Sequence, residues 1–343
     1  MKRVSIIGHF DFKHNSLDGQ TIKTKIISNE LKRQLGSENI FELDTNGRFC
    51  AFLKAPYYIY HSLRTCKNVI ILPAQNGLRI YAPLLSILAK LFKASRRIHY
   101  VVIGGWLAEF IQNKPTLTKC LKKFDAIYVE TNAMKQSLEQ IGFDNIFVMP
   151  NCKELNILSE DELVYPVDEP LKLCTFSRVM KEKGIEDAVN AVKTVNSDLG
   201  KTAFSLDIYG QIDENQKEWF AKLSESFPDY VKYDGLVPYD KSVEVLKNYF
   251  ALLFPTYYDG EGFAGTIIDA YAAGVPVLAS DWKYNSEIIR NGITGTVYTD
   301  SLFAALLDIQ NKRNDWLDMR KKCLHMAKDY LPCNVISALT RNL

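Results

Sequence analysis

Residues 254–280 read FPTYYDGEGFAGTIIDAYAAGVPVLAS. An apolar strand, ALLFPT, closes at Thr256. A loop with Gly260, Gly262 and Gly265 follows, and the spacing predicts a helix starting near Thr266. VPVLAS then reads as a second strand. Glycines let the backbone approach a ligand closely, and the free N–H groups of a helix N-terminus favour an anion. Gly262, Phe263, Ala264, Gly265 and Thr266 are therefore candidate phosphate-binding positions. Glu261 would repel a phosphate, so a hydroxyl is its better partner. Asp269, eight residues on and expected about two turns beyond the loop, suits the vicinal diol of a ribose. Taken alone, the same residues also fit a Gly-rich turn with a solvated Glu.

Working outward, strands and helices alternate along the chain. On the amino-terminal side, residues 3–7, 68–74, 97–105, 126–130 and 145–151 read as strands. Residues 21–35 and 80–93 read as helices, and a further helix ends at Gly142. After residue 170 the alternation restarts with LKLCTFS (171–177), FSLDIYG (204–210) and YVKYDGLV, separated by helical segments. Nearly continuous apolar strands between helices predict parallel sheets covered on both faces. Residues 152–170 are acidic, carry two prolines and lack periodicity, as an inter-domain linker would. The predicted fold class is α/β, two doubly wound domains with a cleft at the carboxyl ends of their strands. The expected domains are 1–155, 166–325, and a terminal helix, 326–343, returning to the first.

TFSRVMKEKGIEDAVNAV (175–192) places Arg178, Lys181 and Lys183 just past a strand and just before Gly184 and a helix. Arg offers a planar fork and Lys a compact charge, both suited to phosphate. Opposite the 260–269 segment they would hold a diphosphate from two sides. Alone, the segment also fits a solvated basic turn. In the first domain, GHFDFKHNSLDGQ brings Gly8 and Gly19 into a loop without the GxGxxG dinucleotide fingerprint. His9, Asp11 and His14 have no matching cluster elsewhere, so no metal is expected. Gly104, Gly105 and Trp106 follow another strand. The indole would stack on a sugar ring or act as a packed anchor.

The 343 residues are 47% hydrophobic and 24% charged, which excludes a disordered or fibrous chain. The seven cysteines show no CxxC spacing, so reduced thiols in a cytoplasmic protein are expected. The start MKRVSIIGHF does not read as a signal peptide, and no apolar run is long enough to span a bilayer. Charge is uneven. Residues 1–150 hold 21 Lys and Arg against 11 Asp and Glu, and residues 45–108 hold nine basic residues and no acidic one. There Tyr57, Tyr58, Tyr60 and Tyr81 interleave with Arg48, Lys54, Arg64, Arg79, Lys90, Lys93, Arg96 and Arg97. Such a stretch suggests a surface facing an anion, a headgroup layer, a pyrophosphate acceptor or nucleic acid, and also fits an ordinary solvated basic surface.

Together these residues resemble the retaining glycosyltransferases of family 4, most strongly over 171–298. The pattern is Glu261, seven residues, Asp269, then AYAAGVPV. Arg178 with Lys183-Gly184-Ile185, PN at 150–151, FPT at 254–256, EII at 287–289 and NGITG at 291–295 also fit. The resemblance implies a GT-B fold, two Rossmann-like domains facing a cleft, and transfer of a sugar from a nucleotide diphosphate, a UDP-sugar by preference, with retention. It gives Arg178 and Lys183 to the diphosphate, Gly262–Gly265 to the distal phosphate, Glu261 to donor-sugar hydroxyls and Asp269 to the ribose. Gly19 would lie beneath the diphosphate, with the base near Gly210, Gln211, Val237 and Pro238. Gly104, Gly105 and Trp106 fall on the acceptor side. No metal or other cofactor is implied. The expected partners are a nucleotide-sugar donor, a saccharide or lipid-linked saccharide acceptor of surface polysaccharide synthesis, and an anionic membrane surface on the inner face of the plasma membrane. A catalytically silent relative acting as a partner subunit is the alternative. Nucleic acid is not expected, because that reading leaves 178–183 and 260–269 without a purpose. Two departures from the family stand out. Asp269 replaces the usual Glu, and no histidine follows the strand ending at Ile103.

Overall fold

The computed structural model describes residues 2–12, 19–46, 49–92 and 96–343. His14, Arg48 and Lys93 lie outside the described residues. The chain divides into two compact units: Met1–Glu154 with Leu331–Leu343, and Leu155–Tyr330.

The first unit holds strands β1 (Lys2–Gly8), β2 (Ile40–Asp44), β3 (Cys66–Ile71), β4 (Arg97–Val101), β5 (Ala126–Val129) and β6 (Ile146–Val148). They pair in the order β2-β1-β3-β4-β5-β6, every pair parallel. The second holds β7 (Leu171–Phe176), β8 (Phe204–Tyr209), β9 (Val231–Gly235), β10 (Ala251–Phe254), β11 (Val277–Ser280) and β12 (Gly295–Tyr298). Their order is β12-β11-β10-β7-β8-β9, again all parallel.

Strand periodicity explains the layers of the second unit. Ala251 and Leu253 of β10 join a core with Ile185, Val189 and Val192 of the helix Ile185–Asp198. Leu252 and Phe254, pointing the other way, join Ile267 and Tyr271 of the helix Gly265–Ala272. Both faces of the sheet are thus covered, as continuous apolar strands require. Arg320 is fully buried here and its guanidinium donates to the carbonyls of Lys247 and Tyr249, 2.8 Å each. Those bonds tie the helix Arg313–Asp329 to the segment that leads into β10.

Several sequence expectations are revised. β2 and β12 were not expected. Only the first residue of each is buried, so they lack the apolar signal of the inner strands. The helix Phe49–Thr65, with Pro56 inside it, was also unexpected. The segment expected as helix 80–93 is Gln75–Leu88 followed by a short 3-10 turn, Ala89–Leu91. The strand expected over 97–105 ends at Val101. The boundary between the units falls within 152–170, after Glu154, and the rest of that segment is packed. Leu158 and Leu163 are buried in the second core, and Leu158 N donates to Ala272 O at 3.0 Å. The segment Leu331–Leu343 packs with the first unit, where Ile336 and Leu339 are buried beside Ile27, Leu31 and Tyr128. No described helix is long and apolar enough to cross a membrane.

His99 of β4 is fully buried, its Nε2 3.3 Å from Asn68 Oδ1. Burial, with the charge of Arg97 adding to it, lowers its pKa to about 4. The unfolded chain binds that proton near pH 6.5, so the unfolded state gains protons over this window. Stability is intact above about pH 6.5 and falls as pH drops toward 4, by roughly 3 kcal/mol for this group. Urea unfolding of the parent and of His99→Gln at neutral and acid pH should show a smaller acid loss in the variant. Equal losses would overturn this account.

Candidate active site

The strand order of the second sheet reverses between β7 and β10. From β7 the chain winds through β8 to β9, then returns to lay β10 on β7's other side. Loops leaving two such strands diverge, and the crevice at their carboxyl ends is where open α/β sheets bind ligands. Lys183 follows β7 and Glu261 follows β10.

The two loops are locked by backbone before side chains act. Lys181–Lys183 forms a 3-10 turn ended by Gly184 at φ 69°. A Cβ on Gly184 would fall 2.1 Å from Pro255 O, so only glycine allows this approach. Tyr257 N donates to Glu182 O at 2.8 Å. The β11 side holds the second loop through Ser280 Oγ to Thr256 O (2.6 Å) and Trp282 Nε1 to Tyr258 O (2.9 Å).

Within this frame Lys183 Nζ lies 2.5 Å from Glu261 Oε2, with side-chain exposures of 13% and 8%. The buried hydroxyl of Thr256 donates to the same oxygen at 2.9 Å and accepts from Tyr258 N at 3.2 Å. The ammonium also stands over the rings of Tyr258 and Phe254, 5.0 and 5.7 Å from their centroids. Glu261 thus engages a hydroxyl and a cation of the chain itself. Gly262 and Phe263 are buried; Ala264, Gly265 and Thr266 are half-buried. The helix begins at Gly265, one residue before the position expected. Asp269 is its fifth residue, about one turn into the helix, because the four residues from Glu261 to Ala264 are loop and not helix. It is buried and accepts a 3.0 Å hydrogen bond from Ser242 Oγ.

Arg178 is 58% exposed and its guanidinium lies 3.6 Å from Asp213 Oδ2. The structure therefore brings Lys183 and Glu261 together and gives Arg178 a different partner. Gly210, at φ 138°, closes against β7: a Cβ there would sit 1.7 Å from Ser177 O. Its carbonyl accepts from the Tyr233 hydroxyl at 2.9 Å, and Gln211 O accepts from Val179 N at 2.9 Å. Gln211 is exposed and Val237 half-buried.

In the first unit, Gly19 opens the helix Gly19–Leu35, and a side chain added there would meet open space. Gly104 adopts φ 86° and Gly105 is half-buried. Trp106, half-buried, donates its indole N–H to Ile103 O at 2.8 Å and stands edge-on to Phe110. Asp11 accepts from the Asn46 side chain, while Asp44 accepts from the amides of Phe10, Asp11 and Phe12. Among the described residues no three His, Cys, Asp or Glu side chains gather as a metal site.

Two site residues escaped the sequence reading. Thr256 was quoted within FPT without a role, although a polar residue ending an apolar strand was a usable signal. Ser242 lies 27 residues from Asp269 and gave none.

Residues 164–329 match the family model for glycosyl transferases group 1. The match takes in nearly all of the second unit and just under half of the chain. The GtfA subunit of the UDP-N-acetylglucosamine–peptide N-acetylglucosaminyltransferase of Streptococcus gordonii is 27% identical over 237 residues, 64% of this chain and 45% of that protein. The amylovoran biosynthesis glycosyltransferase AmsK of Erwinia amylovora is 25% identical over 167 residues, 48% of this chain and 39% of AmsK. The chain spans less than half the length of these curated relatives. Among solved structures, HepE of Anabaena with UDP and glucose has a TM-score of 0.70 at 12% identity, over 100% of both chains. The lipopolysaccharide outer core galactosyltransferase WaaB has 0.69 at 16% identity, over 100% of this chain and 99% of its own. At these identities the likeness is one of fold: two six-stranded parallel sheets with flanking helices, the GT-B architecture.

The pair's coupling is measurable. Lys183→Met leaves a buried carboxylate without its cation and should cost about 3 kcal/mol. The double variant Lys183→Met/Glu261→Gln should recover part of that. A double-mutant cycle in urea with a coupling energy of zero would mean that the two groups do not interact.

Proposed function

We propose that this chain is a retaining glycosyltransferase that moves a sugar from a nucleotide diphosphate donor, a UDP-sugar by preference, to a saccharide acceptor. The observation that carries the reading is the Lys183–Glu261 pair, seated at the strand-order reversal beside a glycine-rich loop and a helix N-terminus. The match of residues 164–329 to group 1 glycosyl transferases supports the same chemistry.

An ammonium has three N–H donors, and Glu261 engages one. The others would hold the donor's diphosphate and offset the negative charge that grows on it as the anomeric C–O bond breaks. The amides of Gly262–Gly265 would meet the distal phosphate. Arg178 would leave Asp213 to join them, at little cost, because exposed ion pairs are weak. Glu261, with one oxygen fixed by Thr256 and Lys183, would present the other to donor-sugar hydroxyls. Asp269 would take the ribose, and Gly210, Gln211 and Val237 the base. In the first unit, Gly19 is assigned to the diphosphate and Gly104, Gly105 and Trp106 to the acceptor side. The acceptor hydroxyl would bond to the anomeric carbon on the face the diphosphate leaves. Its proton would pass to a leaving phosphate oxygen. Fixed cations perform the charge stabilisation here, so the scheme invokes no metal. The acceptor we favour is lipid-linked, in surface polysaccharide synthesis on the cytoplasmic side. The polysaccharide part of this reading is supported by the names of two similar proteins, the amylovoran biosynthesis glycosyltransferase AmsK and the lipopolysaccharide outer core galactosyltransferase WaaB.

A second reading, a silent relative serving as a partner subunit, draws on Asp269. Its carboxylate is one methylene shorter than the family's Glu and already engages Ser242. Slow hydrolysis of a UDP-sugar by the purified chain would exclude it.

Thermal shift with UDP-, GDP- and ADP-sugars tests the donor. Ligand at about a hundred times its Kd adds about 2.7 kcal/mol of stability, and UDP-sugars should give the largest shift. Lys183→Ala should weaken UDP binding about tenfold or more. Unchanged affinity in that variant would overturn the site assignment.

A further inference from the structure

The helix Phe49–Thr65 buries Ala55, Ile59, Ser62 and Leu63 on its inner side. Its outer side is not the usual polar face. Leu53, Tyr57, Tyr60 and Arg64, spaced i, i+4, i+7 and i+11, form one stripe. Leu53 is 68% exposed and Tyr57 64%. The ring of Tyr60 lies 5.7 Å from that of Phe92, which joins the stripe to the turn Ala89–Leu91. Ile87, in the last turn of the helix Gln75–Leu88, and Leu91 are exposed as well, 61% and 68%. Lys54 and Lys90 are exposed beside these apolar tips. One turn from Ile87, Pro83 lines a cavity of about 320 Å³ whose wall also carries Arg79 and Lys114. No Asp or Glu occurs between residues 45 and 108. Two of the four tyrosines picked out in this stretch do not contribute: Tyr58 is half-buried and Tyr81 buried.

We propose that this two-helix face docks on a bilayer of anionic phospholipid, with Leu53, Tyr57, Ile87 and Leu91 entering the headgroup layer and Lys54, Arg64 and Lys90 pairing with its phosphates. Exposed aliphatic side chains set among cations of one sign are what such a surface rewards. They also decide against nucleic acid. Bases stack on aromatic rings and pair with polar groups, and Leu53, Ile87 and Leu91 offer neither. The inference goes beyond the donor reading and does not depend on it, because it uses only residues of the first unit.

Co-sedimentation of the full chain with phosphatidylcholine vesicles, with and without phosphatidylglycerol, tests it. Binding is expected only with phosphatidylglycerol, and added salt should weaken it. Lys54→Glu/Arg64→Glu/Lys90→Glu should weaken binding about a hundredfold. Leu53→Ser/Tyr57→Ser/Leu91→Ser should weaken it at least about tenfold while leaving the salt dependence. All six positions are exposed, so both variants should unfold at the parent's temperature. Equal binding to neutral vesicles, no binding at low salt, full retention in the charge-reversed variant, or tighter binding to an RNA oligonucleotide than to vesicles would each overturn the proposal. UDP binding measured on the same samples reports separately on the donor site.

Discussion

One ion pair organises the candidate site. Lys183 and Glu261 stand 78 residues apart in sequence and meet at 2.5 Å, each largely withdrawn from water. Burial of such a pair costs desolvation that its attraction only roughly repays, so its value is positional rather than stabilising. It holds a cation at one height above the carboxyl ends of β7 and β10. Arg178, exposed and 3.6 Å from its partner, has no comparable restraint. The contrast separates a buried, doubly braced charge from an exposed one held by a single long ion pair.

The pair depends in turn on backbone. Gly184 touches Pro255, Tyr257 N bonds Glu182 O, and Thr256 divides its hydroxyl between Glu261 and the amide of Tyr258. The first two contacts, with a 3.3 Å bond from the Thr256 hydroxyl to Glu182 O, join the loop after β7 to the loop after β10; the other Thr256 bonds brace the second loop internally. That is the place where strand order reverses and where no helix fills the gap between the loops' departures. A fold that put β8 beside β10 would separate the two charges by a strand's width.

The fold's alternation was legible because inner strands such as β5 and β10 are buried at every residue and read as unbroken apolar runs. β2 and β12 were not legible. An edge strand buries little, and IFELD and GTVY look like loop. The helix Phe49–Thr65 escaped for the opposite reason: apolar residues on both of its sides hide the 3.6-residue period. At the site, residue types and spacings identified Lys183, Glu261, Asp269 and the glycines between. Their partners were not readable, because Thr256 and Ser242 are recruited by tertiary packing. The start of the helix at Gly265 was not readable to the residue, since Ala264 takes the cap position with no side-chain bond to mark it.

The return of Leu331–Leu343 to the first unit has a consequence for synthesis. Val335, Ile336 and Leu339 fill a core whose other walls, Val4, Ile27, Leu31 and Tyr128, lie far upstream. Asn342 bonds the Tyr128 hydroxyl, and Thr340 bonds Gln34. As the chain leaves the ribosome, the amino-terminal unit emerges first yet lacks this apolar plug until the intervening unit has been translated. The first unit's core is therefore complete only once residues 331–343 have been made, after every residue of the second unit.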